Sequence, residues 1–209
     1  LEAWRVAAKD PESAVARWLA GWTPAGITQH AESCGIFPDI DEDAEMHPSE
    51  LSGNIHEFDN YAGVDENPIA TDEIELRLKQ GHLRAFDTAA ELNEFVGATD
   101  EYPAILSKIG IITKMRAGKV KNRMILDTKA ALIKYVSKKG QRVILPRLLD
   151  AILQALRLMG GCKDEEDVEW MVLDFTDAFW QVRLHPEERK YFCCRIKHNA
   201  KQKYICFLS

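Results

Sequence analysis

No apolar run in the 209-residue sequence approaches the roughly 18 residues that a membrane helix needs, so no spanning helix is expected. No basic-then-apolar leader opens it. The five cysteines (Cys34, Cys162, Cys193, Cys194 and Cys206) are an odd number and lack metal-type pairing. His30, His47, His56 and His82 show no ligand spacing, so a zinc site is not expected. All five thiols read as reduced, in an intracellular protein of either cytoplasm or nucleus. On a strand, the adjacent Cys193 and Cys194 would face opposite sides. No internal repeat is visible. The chain opens on Leu1 and closes on Ser209 within the strand-like "KYICFLS", so a part of a longer polypeptide is expected.

A hydrophobic content of 46% is enough to bury a real core. The net charge of −6 would argue against a polyanion partner if it were evenly spread, and it is not. Between Lys108 and Arg147 stand twelve Lys and Arg residues against one acid, Asp127. That block carries +11 and leaves −17 for the remainder. Such a module is a candidate surface for a polyanion, although on charge alone a solvated basic face is the more usual explanation.

Residues 1–100 read as an extension of helices and acidic loops. In "DPESAVARWLAG" Asp10 is a candidate N-cap, Pro11 occupies the first helical position and Gly21 follows the end, with Val15, Trp18 and Leu19 as the apolar face. The acidic run at 39–45 reads as solvated loop. "TAAELNEFVG" places Thr88 and Glu91 at capping-box spacing and Gly97 as a stop. The indoles of Trp4, Trp18, Trp22 and Trp170 read as packing anchors.

From Ile109 the texture changes. "IGIITKM" and "NRMILDT" are β-rich runs flanking "RAGKVK", which predicts a hairpin with a basic loop at Gly118. Leu148, Leu149, Ile152, Leu156 and Met159 recur at helical spacing before Gly160-Gly161. A strand "EWMVLDF", a helical turn "TDAFWQV", and a second hairpin from "YFCCRIK" and "KYICFLS" follow, with His185 as a turn residue before Pro186. This order predicts an α+β fold, with an extension over 1–100 and a second unit over 101–209.

"MVLDFTDAFWQV" sets Asp174 into an apolar strand and Asp177 three residues later. A carboxylate there costs free energy unless its charge is compensated. Mg²⁺, which takes one or two carboxylates and fills its shell with water and phosphate oxygens, is one natural compensation. Asp174 and the main-chain carbonyl of Phe175 are candidate ligands. Two such ions about 4 Å apart would clamp an attacking hydroxyl and a leaving pyrophosphate.

"MVLDFTDAFWQVRLHPEERKYF" resembles the first catalytic motif of reverse transcriptases, the RNA-directed DNA polymerases of retroviruses and long-terminal-repeat retroelements. "IITKMRAGKVKNRMILDTKAALI" resembles their fingers hairpin, and "QRVILPRLLDAIL" the proline-led segment and helix that join fingers to palm. The likeness covers about Ile109–Ser209, half of the chain. Residues 1–100 resemble only vaguely the segment preceding the polymerase in such elements. The resemblance implies part of a right-hand polymerase, fingers and the first half of the palm. It implies Asp174 as the catalytic metal ligand and Asp177 and Ala178 as lining for the incoming nucleotide. It makes Phe179 the aromatic gate that excludes a 2′-hydroxyl, with Trp180 as a second aromatic beside it. Arg123 falls on the arginine over the triphosphate, Lys114 or Arg116 on the γ-phosphate contact, and Asp127 and Lys129 on template contacts. The implied cofactor is a pair of Mg²⁺ ions. The implied partners are an RNA or DNA template-primer and deoxynucleoside triphosphates, with no membrane.

One element of the family pattern is missing. An aromatic residue, any residue and two aspartates should supply the other metal carboxylates, and no such sequence occurs here. The chain alone is therefore expected not to polymerise. The alternative is a degenerate, non-catalytic retroelement relic that serves as a nucleic-acid-binding or interaction module.

Overall fold

A computed structural model describes the chain except for residues 1, 11–13, 32, 34, 41–43, 52–58, 66, 117, 146, 164–166, 171–175 and 199–200, and except for the side chains of Trp4, Arg116 and His198. Among the described residues, six α-helices and five strands follow in the order α1 (Glu2–Ala8), α2 (Ala14–Ala20), α3 (Pro68–Lys79), β1 (Leu83–Phe86), α4 (Ala89–Val96), β2 (Lys108–Arg116), β3 (Lys119–Asp127), α5 (Ile133–Val136), α6 (Leu148–Met159), β4 (Cys193–His198) and β5 (Lys201–Phe207). The fold is α+β, as the sequence predicts. No helix among the described residues is long and apolar enough to cross a membrane.

The body is a three-stranded antiparallel sheet in the order β1-β5-β4. Strand alternation sends successive residues to opposite faces. Tyr204 and Cys206 pack with Cys193, Leu92 and Val96 under α4, while Ile205 and Phe207 pack with Cys194, Ile74 and Leu83 under α3. Cys193 and Cys194 thus do face opposite sides, and Cys162, Cys193, Cys194 and Cys206 are free thiols. Since β1 belongs to residues 1–100 and pairs along its length with β5, the sheet spans the boundary that composition suggests at residue 100.

Several local signals form as written. Asn67 caps α3, its side chain accepting from the Ile69 amide at 3.0 Å, with Pro68 next. Thr88 caps α4 through the Glu91 amide, and Gly97 ends it in the left-handed region. The Glu91 carboxylate accepts from the Asp87 amide, one residue earlier than a regular capping box would have it.

Other expectations change. Val15 and Leu19 of α2 and Trp170 are exposed and do not serve as packing anchors among the described residues, while Trp22 is half exposed and packs only edge-on against the His185 ring (6.1 Å). Helix α6 forms where its spacing places it, yet its apolar stripe is uncovered among the described residues, Leu148 being 78% exposed. A helical period records amphipathicity and says nothing about which element covers it. The strand expected at 169–175 lies mostly outside the described residues, and its first two, Glu169 and Trp170, are not in a strand.

The N-terminal segment is tied down by one buried acid. Glu188 is 0% exposed. Its carboxylate accepts from the amides of Ile27 (2.7 Å), Thr28 (2.8 Å) and Gln29 (3.2 Å), and from that of Ala25. A carboxylate this deep is tolerable only because the amides replace its hydration, as in an anion-binding nest. Gly26 makes the nest possible. Its φ of +85° is costly for other residues, and a Cβ there would run into the Lys138 carbonyl. The Thr23 amide to the Arg183 carbonyl (2.7 Å) and the His185 amide to the Thr23 carbonyl (3.0 Å) extend the join.

Glu188→Gln keeps the shape but turns an NH₂ group toward amide donors. The expected cost is about 2–4 kcal/mol by urea denaturation, against under about 0.5 for Glu187→Gln on the surface beside it. Equal costs for the two variants would show that the nest contributes little.

Candidate nucleic-acid interface

The pairing of β2 with β3 runs from Lys108↔Asp127 to Arg116↔Lys119 without a slip. Paired residues share a face, and faces alternate. One face of the hairpin therefore carries Ile109, Ile111, Met124 and Leu126, with Ile109 fully buried and the others packed on the core around it. The opposite face carries Lys108, Lys114, Lys119, Lys121 and Arg123 in a row, with Ile112 and Ile125 between them. Arg116 holds the register position opposite Lys119. The sequence leaves Lys114 and Arg116 as alternatives, and their backbone positions differ by two along the same strand, so the register does not separate them. Burying Ile109 and its neighbours fixes which face turns out, because a one-residue slip would exchange the two. Lys114, Lys119, Lys121 and Arg123 are exposed, and no ion pair engages them among the described residues.

The resemblance also assigns Asp127 and Lys129 to this end of the molecule. Asp127 sits at the foot of the hairpin, accepting from the Tyr61 hydroxyl at 2.5 Å and from the Ala130 amide at 2.9 Å. These two bonds, Tyr61 first, hold its carboxyl below the usual range. Asp127 thus already has a structural task as the cap of the turn into α5. Lys129 is exposed beside it.

Asp174 and Phe175, the proposed metal ligands, lie outside the described residues. The turn just after them is described. Asp177 adopts left-handed backbone (φ 52°), which Asp tolerates better than most residues, and opens a 3₁₀ turn over Ala178–Gln181. This turn separates two aromatic neighbours. Trp180 points inward, stacked on Phe207 (5.9 Å, 14°) and tilted against His82 (5.6 Å). Phe179 points outward and is 94% exposed, so core packing is excluded as its role. Ala178 is exposed next to it.

Arg77, which sequence reading passes over, holds this turn. It is 7% exposed, and its guanidinium donates to Asp177 (2.8 Å) and Glu73 (2.8 Å) while lying 4.9 Å from the centre of the Trp180 ring. Burial works against its charge, but the two carboxylates outweigh it and the pKa is raised. Asp177 is held below its ordinary value chiefly by the Arg77 hydrogen bond, with Lys121 contributing through space. Lys121 belongs to the basic face of the hairpin, and the hairpin's other face shares one apolar cluster with Trp180 of this turn, Ile111, Met124 and Leu126 packing on it. The Glu73-x₃-Arg77 spacing was a legible helix pair. Its third member, a hundred residues away, was not.

No group of three or more His, Cys, Asp or Glu stands close enough to hold a metal among the described residues. No protein-family model, curated protein or solved structure matches the chain.

Arg77→Met would leave Glu73 and Asp177 without their cation. The expected loss is roughly 2 kcal/mol, below the ~3–5 of a fully buried pair because Asp177 is partly solvated. Asp177 has a lowered folded pKa, so its contribution is complete above the ordinary carboxylate range and lost as pH falls through the lowered value. Wild type should therefore lose more stability than Asp177→Asn between about pH 5 and pH 2 in urea titrations, and parallel curves would contradict this.

Proposed function

We propose that this chain is the fingers and first palm segment of a retroelement reverse transcriptase, an RNA-directed DNA polymerase, preceded by an N-terminal extension. The reaction is transfer of a deoxynucleotidyl group from its triphosphate to a primer 3′-hydroxyl on a nucleic-acid template, with pyrophosphate leaving. The observation that carries the reading is the hairpin's one-sided basic face, whose apolar side packs on the same cluster as Trp180 of the turn that follows Asp174. A polymerase needs that pairing of parts, because the triphosphate is neutralised from one side while the acid-bearing strand addresses it from the other.

In this reading Arg123, with Lys114 or Arg116, binds the phosphates. Asp174 and the carbonyl of Phe175 are the ligands for Mg²⁺, which supplies Lewis-acid charge stabilisation when bound. Phe179 lies under the incoming sugar, and its outward placement on a turn anchored by Trp180 suits that task. Asp177 orients that turn through Arg77, and its role toward the nucleotide is positional. The side chains do little acid–base work. Their contribution is alignment and charge.

The test is primer extension by the native polypeptide that carries this segment. Asp174→Asn should lower the rate by more than about 100-fold, the loss of several kcal/mol of charge stabilisation. Phe179→Val should raise incorporation of ribonucleotides relative to deoxynucleotides while template-directed extension persists. Unchanged extension by Asp174→Asn would remove that residue from the chemistry. No extension by the wild type, with nucleic-acid binding retained, would favour the non-catalytic relic.

A further inference from the structure

The basic face of the hairpin ends, at its foot, on an aromatic ring contributed from outside the region of resemblance. The Tyr61 amide donates to the Ile109 carbonyl (3.1 Å), and the Asn60 side chain accepts from the Ile109 amide (3.1 Å), so residues 60–61 run along the free edge of β2. From there the Tyr61 side chain crosses the hairpin and donates its hydroxyl to Asp127 on β3. It passes over Gly110, where a Cβ would stand 3.3 Å from the ring's Cδ2. The absence of a side chain at Gly110 is what lets the ring lie so close. Tyr61 is nevertheless 50% exposed, and the Lys108 ammonium lies 6.0 Å from its centre. Around it is a groove of about 410 Å³ whose lining includes Ile112, Ile125, Asp127 and Lys129.

A half-exposed ring pinned at both ends is unusual for a packing residue, which would gain more from burial. It suits a stacking platform, whose ring must be rigid and open on one side. Single-strand binding surfaces combine such platforms with a line of cations that follows the backbone. Here the line runs from Lys108 at the foot, where Lys129 lines the same groove as Tyr61, to Lys114, Lys121 and Arg123 toward the tip. The geometry points to Tyr61 as the stacking platform for an unpaired base of a single-stranded nucleic acid lying along the outer face of the hairpin. This rests on reading that face as a nucleic-acid surface, and it adds a base-contacting residue that charge alone does not supply. A paired base inside a duplex cannot offer its face to the ring, so the site selects single strands.

The experiment measures fluorescence anisotropy of labelled 12-nucleotide oligouridylate and oligothymidylate with the whole chain, beside an abasic oligomer of equal charge. Tyr61→Ala should weaken binding of both base-bearing oligomers by about 5- to 100-fold, the range for one stacked base. Tyr61→Phe should stay within about threefold, since the ring remains. The salt dependence of Tyr61→Ala should equal that of wild type, whereas Lys121→Ala should lower the slope by about one. On the abasic oligomer, wild type and Tyr61→Ala should bind alike. Wild type carrying 5-iodouracil in the strand should crosslink on irradiation to the peptide containing Tyr61. If wild type binds no single strand, the hairpin face is not a nucleic-acid surface and both readings fall. If it binds but Tyr61→Ala matches it, or loses equally on the abasic oligomer, or crosslinks avoid Tyr61, the stacking role alone is overturned.

Discussion

The buried carboxylate of Glu188 is the constraint on which the arrangement depends. It draws the amides of residues 25–29 onto the segment that runs from the Trp180 turn into β4. That same segment bonds to Thr23 on one side and to Leu208 on the other. A charge so deep cannot be left unpaired, so its four amides must be supplied whenever the fold forms. The N-terminal chain is thereby held against the segment that leads into the sheet, and the backbone bonds of Thr23 and Leu208 complete the join.

With that segment held, two further devices set the surface. Arg77 satisfies Asp177 and Glu73 and supports Trp180, which leaves Phe179 nowhere to go but outward. Ile109 and its neighbours bury one face of the β2–β3 hairpin, which leaves the cations on the other. Neither exposed feature is made by attraction to solvent. Each is the remainder after an apolar or ionic partner has claimed the opposite side, and this is how a small sheet presents an aromatic ring and a cationic strip with little backbone of its own.

The sequence was most readable where the signal is local and periodic. Both hairpins, the helix after Pro146, the caps at Thr88 and Gly97, and the turn at Ala178–Gln181 stand where their spacing puts them. Alternation in "IGIITKM" and "NRMILD" already contained the basic face, because the register follows from burying the apolar set. What escaped were contacts between distant residues. Glu188 lies in "PEERK", which looks like a solvated turn, and nothing near it announces four amides from residues 25–29. Arg77 shows its helix partner and hides Asp177. Tyr61 gains meaning only from Gly110 and Asp127, forty-nine and sixty-six residues further on. In the opposite sense, the apolar stripe of α6 and the indole of Trp170 predicted packing that these residues do not have among the described residues, since hydrophobic content fixes the wish for a partner and not its presence.

The central claim is that the hairpin's cations and the acid of "MVLDF" serve one substrate. Most direct is a structure of the native polypeptide with template-primer, Mg²⁺ and a non-hydrolysable deoxynucleoside triphosphate analogue. Arg123 should lie within hydrogen-bond distance of the triphosphate and Asp174 within coordination distance of a metal bound to the same nucleotide. A nucleotide held elsewhere, or an Arg123 directed away from it while Asp174 is walled in by apolar neighbours, would contradict the polymerase reading outright.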